Sequence, residues 1–97
     1  MGLELAVPRS VVPSLSAVAA AFAGAGLTGM LVMVDNQMLA FGAPPPERWA
    51  DARFRFPAGT VTIVRRPTGL AVVVFGNADA ALQEVQRRVA DVLTRMD

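Results

Sequence analysis

The sequence predicts an α+β domain: a single antiparallel sheet of five to six strands packed against two helices. Two segments have apolar residues at helical spacing, and the remaining apolar segments are short and separated by turn residues. Read in order, the elements are β-α-β-β-β-β-β-α. Because five strands follow one another with short connections, antiparallel pairing in a sandwich with the helices is the expected arrangement.

The composition indicates one small domain with more apolar surface than usual. Ninety-seven residues correspond to a single domain, 1–97. The hydrophobic fraction is 54%, whereas about half is usual for a soluble domain. Self-association is the simplest way to bury such an excess, so the composition favours a homodimer.

The residue inventory excludes most catalytic chemistry. The chain has no Cys, no His and no Tyr, and every basic residue is Arg. A thiol nucleophile, an imidazole base and a lysine Schiff base are therefore all absent. We expect no enzyme activity, no metal and no cofactor. A net charge of +1 also argues against nucleic-acid binding.

The first strand and helix follow from turn and capping residues. Leu3 to Val7 alternates and is stopped by Pro8, which predicts a strand. Pro13 and Ser14 then open a helix. Its predicted core stripe has the spacing i, i+3, i+4, i+7 and comprises Leu15, Val18, Ala19 and Phe22.

The other faces of this helix carry alanine and no charge. Ala17 and Ala21 lie on them, where a helix that faces solvent normally has charged residues. We therefore predict that this surface packs against something, either in this chain or in a second copy.

A hairpin is predicted next. Met30–Val34 and Gln37–Phe41 are apolar runs on either side of Asp35-Asn36, a pair that tolerates the positive φ of a two-residue turn. Since both sides of the first run are apolar, it is predicted to be a central, buried strand.

Membrane insertion is the alternative interpretation of this region. Ser10 to Val34 has no charged residue, but Pro13 and three glycines interrupt it, and it lacks the usual basic flanks. We therefore expect no membrane insertion and a cytoplasmic protein.

The second half of the chain predicts three strands and a helix. Residues 43–52 (APPPERWADA) allow at most one helical turn. Strands are then expected at 53–56, 60–66 and 70–76, the last of them fully buried. Asn77 or Asp79 is expected to cap a helix from Ala80 to Met96. Its predicted core seam is Leu82, Val85, Val89, Val92 and Met96, and its predicted ion pairs are Glu84–Arg88 and Asp91–Arg95.

Arginine is the densest functional signal. If the strands around Pro57 to Gly59 pair as a hairpin, then some of Arg53, Arg55, Arg65 and Arg66 come close together. Such a cluster could bind phosphate or an acidic partner. Alternatively, these arginines keep the outer face of an edge strand soluble. At a protein interface arginine and aromatic residues are both enriched, which makes Phe54 and Phe56 candidates too.

Trp49 is the single tryptophan and lies in the proline-rich link. Two interpretations are open for it. It closes the end of the core, or it anchors an interface, where tryptophan is frequent among the energetically dominant residues.

Two stretches together resemble the roadblock/dynein light chain family. One is LSAVAAAFAGAGLTGMLVMVDNQMLAFG, and the other is TVTIVRRPTGLAVVVFGNADAALQEVQRRVADVLTRMD. They cover about 70 of the 97 residues. The resemblance is a pattern of elements and implies a roadblock/longin/profilin-like sandwich. It also implies a non-catalytic, homodimeric adaptor that binds or regulates a small Ras-like GTPase.

The chain departs from the family in two places. The family usually has a full helix where residues 43–52 stand here, and the strand Leu3–Val7 is additional. Members commonly dimerise through that helix and the following strand, whose position is held here by Arg53 to Phe56. The mode of dimerisation is therefore open.

Overall fold

The computed structural model describes residues 3–40, 44–76 and 78–96. It confirms the predicted order of elements and the α+β class. The elements are β1 (Leu3–Pro8), α1 (Leu15–Gly24), β2 (Met30–Val34), β3 (Gln37–Met38), β4 (Asp51–Phe56), β5 (Gly59–Arg66), β6 (Gly69–Val74) and α2 (Ala80–Arg95).

The six strands form one antiparallel sheet in the order β1-β6-β5-β4-β2-β3. Strand β6 is buried along its whole length, which confirms the predicted burial up to Val74. The prediction was wrong for the end of the run, because the strand stops at Val74 and Phe75 is 62% exposed. The prediction that Met30–Val34 is a buried central strand was wrong. Only Val34 of β2 is buried, because β3 covers just two residues of it. The rest of the predicted partner strand is non-strand or, for Phe41, outside the described residues.

Both helices pack on one face of the sheet, which we call the covered face. The core lies between the helices and the sheet and contains Phe22, Phe54 and Phe56. The Phe22 ring meets those of Phe54 and Phe56 edge to face, at centroid distances of 5.1 and 5.8 Å. Alternation along each strand explains the arrangement, since successive side chains point to opposite faces. Phe54 and Phe56 therefore lie inside, and Arg53 and Arg55 outside, as predicted.

Helix α1 begins where the sequence predicts. Ser14 is its N-cap, and the hydroxyl accepts a hydrogen bond from the Ala17 N–H at 3.1 Å. Leu15, Val18 and Phe22 are buried. Ala19 was wrongly assigned to the core stripe, because it lies on the exposed side of the helix.

The hairpin turn is the predicted one. Asp35 and Asn36 both have positive φ, 51° and 67°, as a type I′ turn requires. The Asp35 carboxylate also accepts hydrogen bonds from the N–H groups of Ala50 and Asp51, at 2.8 and 2.9 Å. The turn thereby fixes the end of the proline-rich link, which forms no helical turn in the described residues.

Helix α2 is capped by Asp79, whose carboxylate accepts from the Leu82 N–H at 2.9 Å. At the other end, the Arg9 guanidinium donates to the carbonyl oxygens of Leu93 and Met96, at 2.6 and 2.8 Å. The alternative cap, Asn77, lies outside the described residues.

The buried side of α2 differs from the predicted seam. Its buried residues are Gln86, Val89 and Leu93, and the other seam residues are half-buried around them. The Asp91–Arg95 ion pair is present at 3.1 Å. The predicted Glu84–Arg88 pair was wrong, because Glu84 pairs with Arg87 while Arg88 points to the Ala25 carbonyl oxygen.

Within the described residues, neither helix has the length and apolar character needed to cross a membrane.

Candidate interaction surface

The sheet face that points away from both helices has no helix on it, and we call it the open face. Its central residues Thr62, Ala71 and Val73 are nevertheless buried among their neighbours. Strand register assigns its residues. Its apolar members are Ala6, Met30, Met33, Met38, Val64, Ala71, Val73 and Phe75, and its polar members are Glu4, Asp51, Arg53, Arg55, Thr60, Thr62 and Arg66.

Three large apolar side chains on the open face reach solvent. Met30 is 61% exposed, Met38 76% and Phe75 62%. An antiparallel sheet with one solvated face normally alternates apolar and polar residues. Exposed apolar residues that share one face mark an interaction site more often than scattered ones do.

The open face also has a shallow depression of about 550 Å³ beside Phe75. Arg53, Thr60 and Thr62 line it on the open face, and Leu82 of α2 lines it at the end of the sheet where β6 leads into α2. The depression is open to solvent and holds a mixture of hydroxyl, guanidinium and apolar groups, which suits a side chain of a partner better than an enclosed small ligand.

The four candidate arginines are divided between the two faces. Arg53 and Arg55 are neighbours on the open face. Arg66 lies on the same face but at the far end of β5, where it forms an ion pair with Glu4 at 2.7 Å. Arg65 lies on the covered face and donates to the Trp49 carbonyl oxygen at 3.5 Å. The structure therefore brings two of the four together.

Arg53 lies across the sheet instead of extending into solvent. Its guanidinium donates to the Met33 sulfur at 3.6 Å and to the Asn36 side-chain oxygen at 3.3 Å. It is also 4.0 Å from the Asp51 carboxylate. Arg55 is exposed, and among the described residues it has no ion-pair partner.

The aromatic residues of the predicted interface are internal to this chain. Trp49 is 3% exposed, and its indole N–H donates to the Pro13 carbonyl oxygen at 3.1 Å. Phe54 and Phe56 are buried in the core. Of the two interpretations of Trp49, the geometry matches closure of the core. The alanines differ from these residues, since Ala17 is exposed and Ala21 half-buried.

The strand that the resemblance places at a dimer edge is an interior strand here. Arg53 to Phe56 belong to β4, which is hydrogen bonded to β5 on one side and to β2 on the other. A second copy cannot add a strand to it while both pairings are kept. The arginines of β4 also do not protect an edge strand, contrary to one interpretation of the sequence.

Sequence reasoning missed the methionines of the open face. Met30 and Met33 belong to a run that is apolar at every position, which was interpreted as burial on both sides. No local signal in the sequence separates the two sides of this run, and the sequence predicted a five-residue partner strand where the structure has two residues.

No cluster of three or more potential metal ligands occurs within residues 3–40, 44–76 and 78–96. No family model matches the sequence, and no curated protein or solved structure matches it either. Function is therefore inferred from the residues and their geometry.

Proposed function

We propose that this chain is a non-catalytic protein-interaction module that acts as a homodimer in the cytoplasm. In this role it is an adaptor or regulator in a signalling system built on a small Ras-like GTPase. The observation that carries the interaction role is the open face, where Met30, Met38 and Phe75 present apolar surface to solvent.

The roles of the carboxylates support a non-catalytic protein. Asp35 holds the link to β4, Asp79 caps α2 and Asp91 pairs with Arg95. Each of these side chains is used by the fold. With no His, Cys, Tyr or Lys in the sequence, an acid–base pair or an activated nucleophile has few residues from which to be built.

The GTPase part of the proposal rests on the resemblance to the roadblock/dynein light chain family. A regulator of this kind acts by positioning residues of the GTPase itself, or by inserting an arginine in trans. Arg55 has the exposure that such a contact needs. The experiment is calorimetric titration of this chain into a purified Ras-like GTPase of the same organism, loaded with GDP or with a non-hydrolysable GTP analogue.

We expect saturable binding that differs between the two nucleotide states. Binding that is lost in Arg55→Ala but kept in Ala17→Glu would connect it to the exposed arginine of β4. If neither nucleotide form binds, the GTPase role is contradicted, while the homodimer is tested separately.

The second candidate is a small anion- or ligand-sensing domain that uses arginine. Arg53 and Arg55 lie side by side on the open face, and Arg55 has no carboxylate partner within the described residues. Titration with inorganic phosphate at low and high ionic strength tests it. Anion binding should weaken with salt and with Arg55→Ala, whereas an unchanged heat signal in both titrations contradicts it.

A further inference from the structure

We infer that the open face is the surface through which two copies of this chain associate. The copies pack open face against open face, about a two-fold axis that is parallel to the strands and passes between β5 and β4. This inference rests on the proposed homodimer and adds to it the surface and the orientation.

The two candidate dimer surfaces, the open face and the uncharged side of α1, differ in area. Five strands about 4.8 Å apart and about 20 Å long cover ~19 × 20 Å, and β3 adds only two residues, so the open face projects to ~400 Å². The uncharged side of α1, with ten residues, projects to only ~150 Å². A stable interface buries ~800 Å² of accessible surface per partner. The open face is therefore much closer to this value than α1 is, and its exposed apolar area belongs mainly to Met30, Met38 and Phe75.

The charges of the open face are mostly neutralised within one chain. Glu4 pairs with Arg66, and Asp51 lies beside Arg53. Arg55 is the remaining charge, and it is opposite Thr60, next to the turn that joins β4 and β5. A charge at the end of the sheet stays at the rim of a face-to-face interface, where it keeps its water.

The proposed axis places the methionines of the open face opposite other kinds of side chain. The axis divides the sheet into the halves β1-β6-β5 and β4-β2-β3, and it places each half on the other half of the second copy. By register, Met33 then lies over Val73 of the second copy and Met38 over its Glu4. Long, flexible methionine side chains can adapt to both.

The register also shows which side chains of the central strands, β4 and β5, face each other about this axis. Thr62 is the cross-strand partner of Arg53, and Thr60 that of Arg55. A two-fold axis between these strands puts Arg53 over Thr62 of the second copy and Arg55 over Thr60 of the second copy. No two like charges meet, and Arg55 faces the exposed hydroxyl group of Thr60.

The other in-plane axis is disfavoured by the same side chains. An axis perpendicular to the strands places each strand on the same strand of the second copy. Strand β4 then faces β4, and Arg53 faces Arg53 near the middle of the interface. Two guanidinium groups would then be desolvated together, which is costly. Aligned packing of two sheets at about −30° is the common arrangement in β-sandwiches and is compatible with the first axis.

Two substitutions at one position test both the surface and the axis. Met38 is 76% exposed in a single chain, so charged variants leave the fold intact. In the proposed dimer Met38 lies over the β1 end of the second copy, where Glu4 is the acidic residue. We expect Met38→Glu to weaken dimerisation by ~10-fold or more, because its carboxylate lies beside Glu4 of the second copy at the outer strands of the interface. Met38→Arg should weaken it at least ~10-fold less.

The measurement is sedimentation equilibrium of the full chain across a dilution series, with circular dichroism of each variant to confirm the fold. Ala17→Glu on α1 and Leu5→Glu at the outer edge of β1 are controls for the competing surfaces. Both should change the dissociation constant less than ~3-fold.

The outcomes separate the inference from the proposed function. A wild-type chain that stays monomeric contradicts the homodimer itself. A wild-type dimer that survives Met38→Glu, or that is lost in Ala17→Glu or Leu5→Glu instead, keeps the homodimer and overturns the open face. Equal weakening by Met38→Glu and Met38→Arg overturns the axis parallel to the strands.

Discussion

The two faces of the sheet are built from the same six strands, yet they differ in how their apolar residues are used. On the covered face Phe54, Val61 and Ile63 are buried beneath the helices to 1% exposure or less. On the open face Met30 and Phe75 remain more than half exposed. Apolar content alone therefore does not locate the core. Strand alternation and the position of the helices decide which apolar residues stabilise the chain and which are left for a partner.

The largest expected effect is the difference in stability between a substitution on the covered face and one on the open face. Phe54→Ala should lower the free energy of unfolding by about 3–5 kcal/mol, because it removes a buried ring that packs against Phe22 and Phe56. Met38→Ala on the open face should change it by less than about 0.5 kcal/mol. Denaturant unfolding at a concentration where the chain is monomeric compares them. Equal losses would mean that the open face is covered within one chain.

Gly69 tests whether the open face tolerates change everywhere. It has φ +149°, and an added Cβ would meet the backbone of Val7 and Arg9. Gly69→Ala should therefore cost about 2–3 kcal/mol through strain and a forced shift of β1. Gly24→Ala is the matched control, since an added Cβ there has nothing within 4 Å. Thermal unfolding of both variants checks the difference, and a neutral Gly69→Ala would contradict the close β1–β6 contact.

Gln86 is a polar residue on the covered face. It is 3% exposed, and its side-chain amide donates to the carbonyl oxygens of Leu3 and Val72, both at 2.9 Å. Gln86→Leu should destabilise by about 1–3 kcal/mol, because two carbonyl groups lose their donor. The control is Gln83→Leu on the exposed side of α2. Chemical denaturation distinguishes them, and a Gln86→Leu chain as stable as the wild type would mean that the bridge to β1 contributes nothing.

The smallest expected effect is a gain in the free energy of unfolding. Ala17 donates its N–H to the Ser14 cap, so Ala17→Glu completes a capping box at the N-terminus of α1. We expect a gain of about 0.3–1 kcal/mol, measured as a rise in the midpoint of thermal unfolding. Ala20→Glu, further along the same exposed side, has no cap to complete. If Ala17→Glu is destabilising, the exposed alanine surface is in contact with something.

The sequence predicts the order of the elements because each has a local signal. Ser14 and Asp79 cap the helices, and Asp35-Asn36 turns the hairpin, all through interactions with residues a few positions away. Strand order is different, since it depends on contacts between distant segments. The interior position of β4 is not visible in the residues of β4 themselves.

The dependence on contacts between distant segments also explains which residues of the candidate site could be predicted. Alternation placed Arg53 and Arg55 on one side and Phe54 and Phe56 on the other. Alternation along β5 also puts Arg65 on the side of Val61 and Ile63, opposite Arg66, which the grouping of the four arginines overlooked. The burial of Trp49 could not be predicted, because it depends on how the link returns to the N-terminus of α1. Met30 and Met33 were missed because a run that is apolar throughout hides which side is covered.

Methionine oxidation across a dilution series tests the central claim most directly, because it needs no substitution. Met30 and Met38 are exposed in one chain, and Met96 is half-buried at the end of α2, on the other side of the sheet. Brief peroxide treatment followed by peptide mass analysis measures their rates. If the open face forms the dimer, Met30 and Met38 become protected as the concentration rises and the mass doubles, while the oxidation rate of Met96 stays constant. A doubled mass with unchanged oxidation of Met30 and Met38 would contradict the central claim.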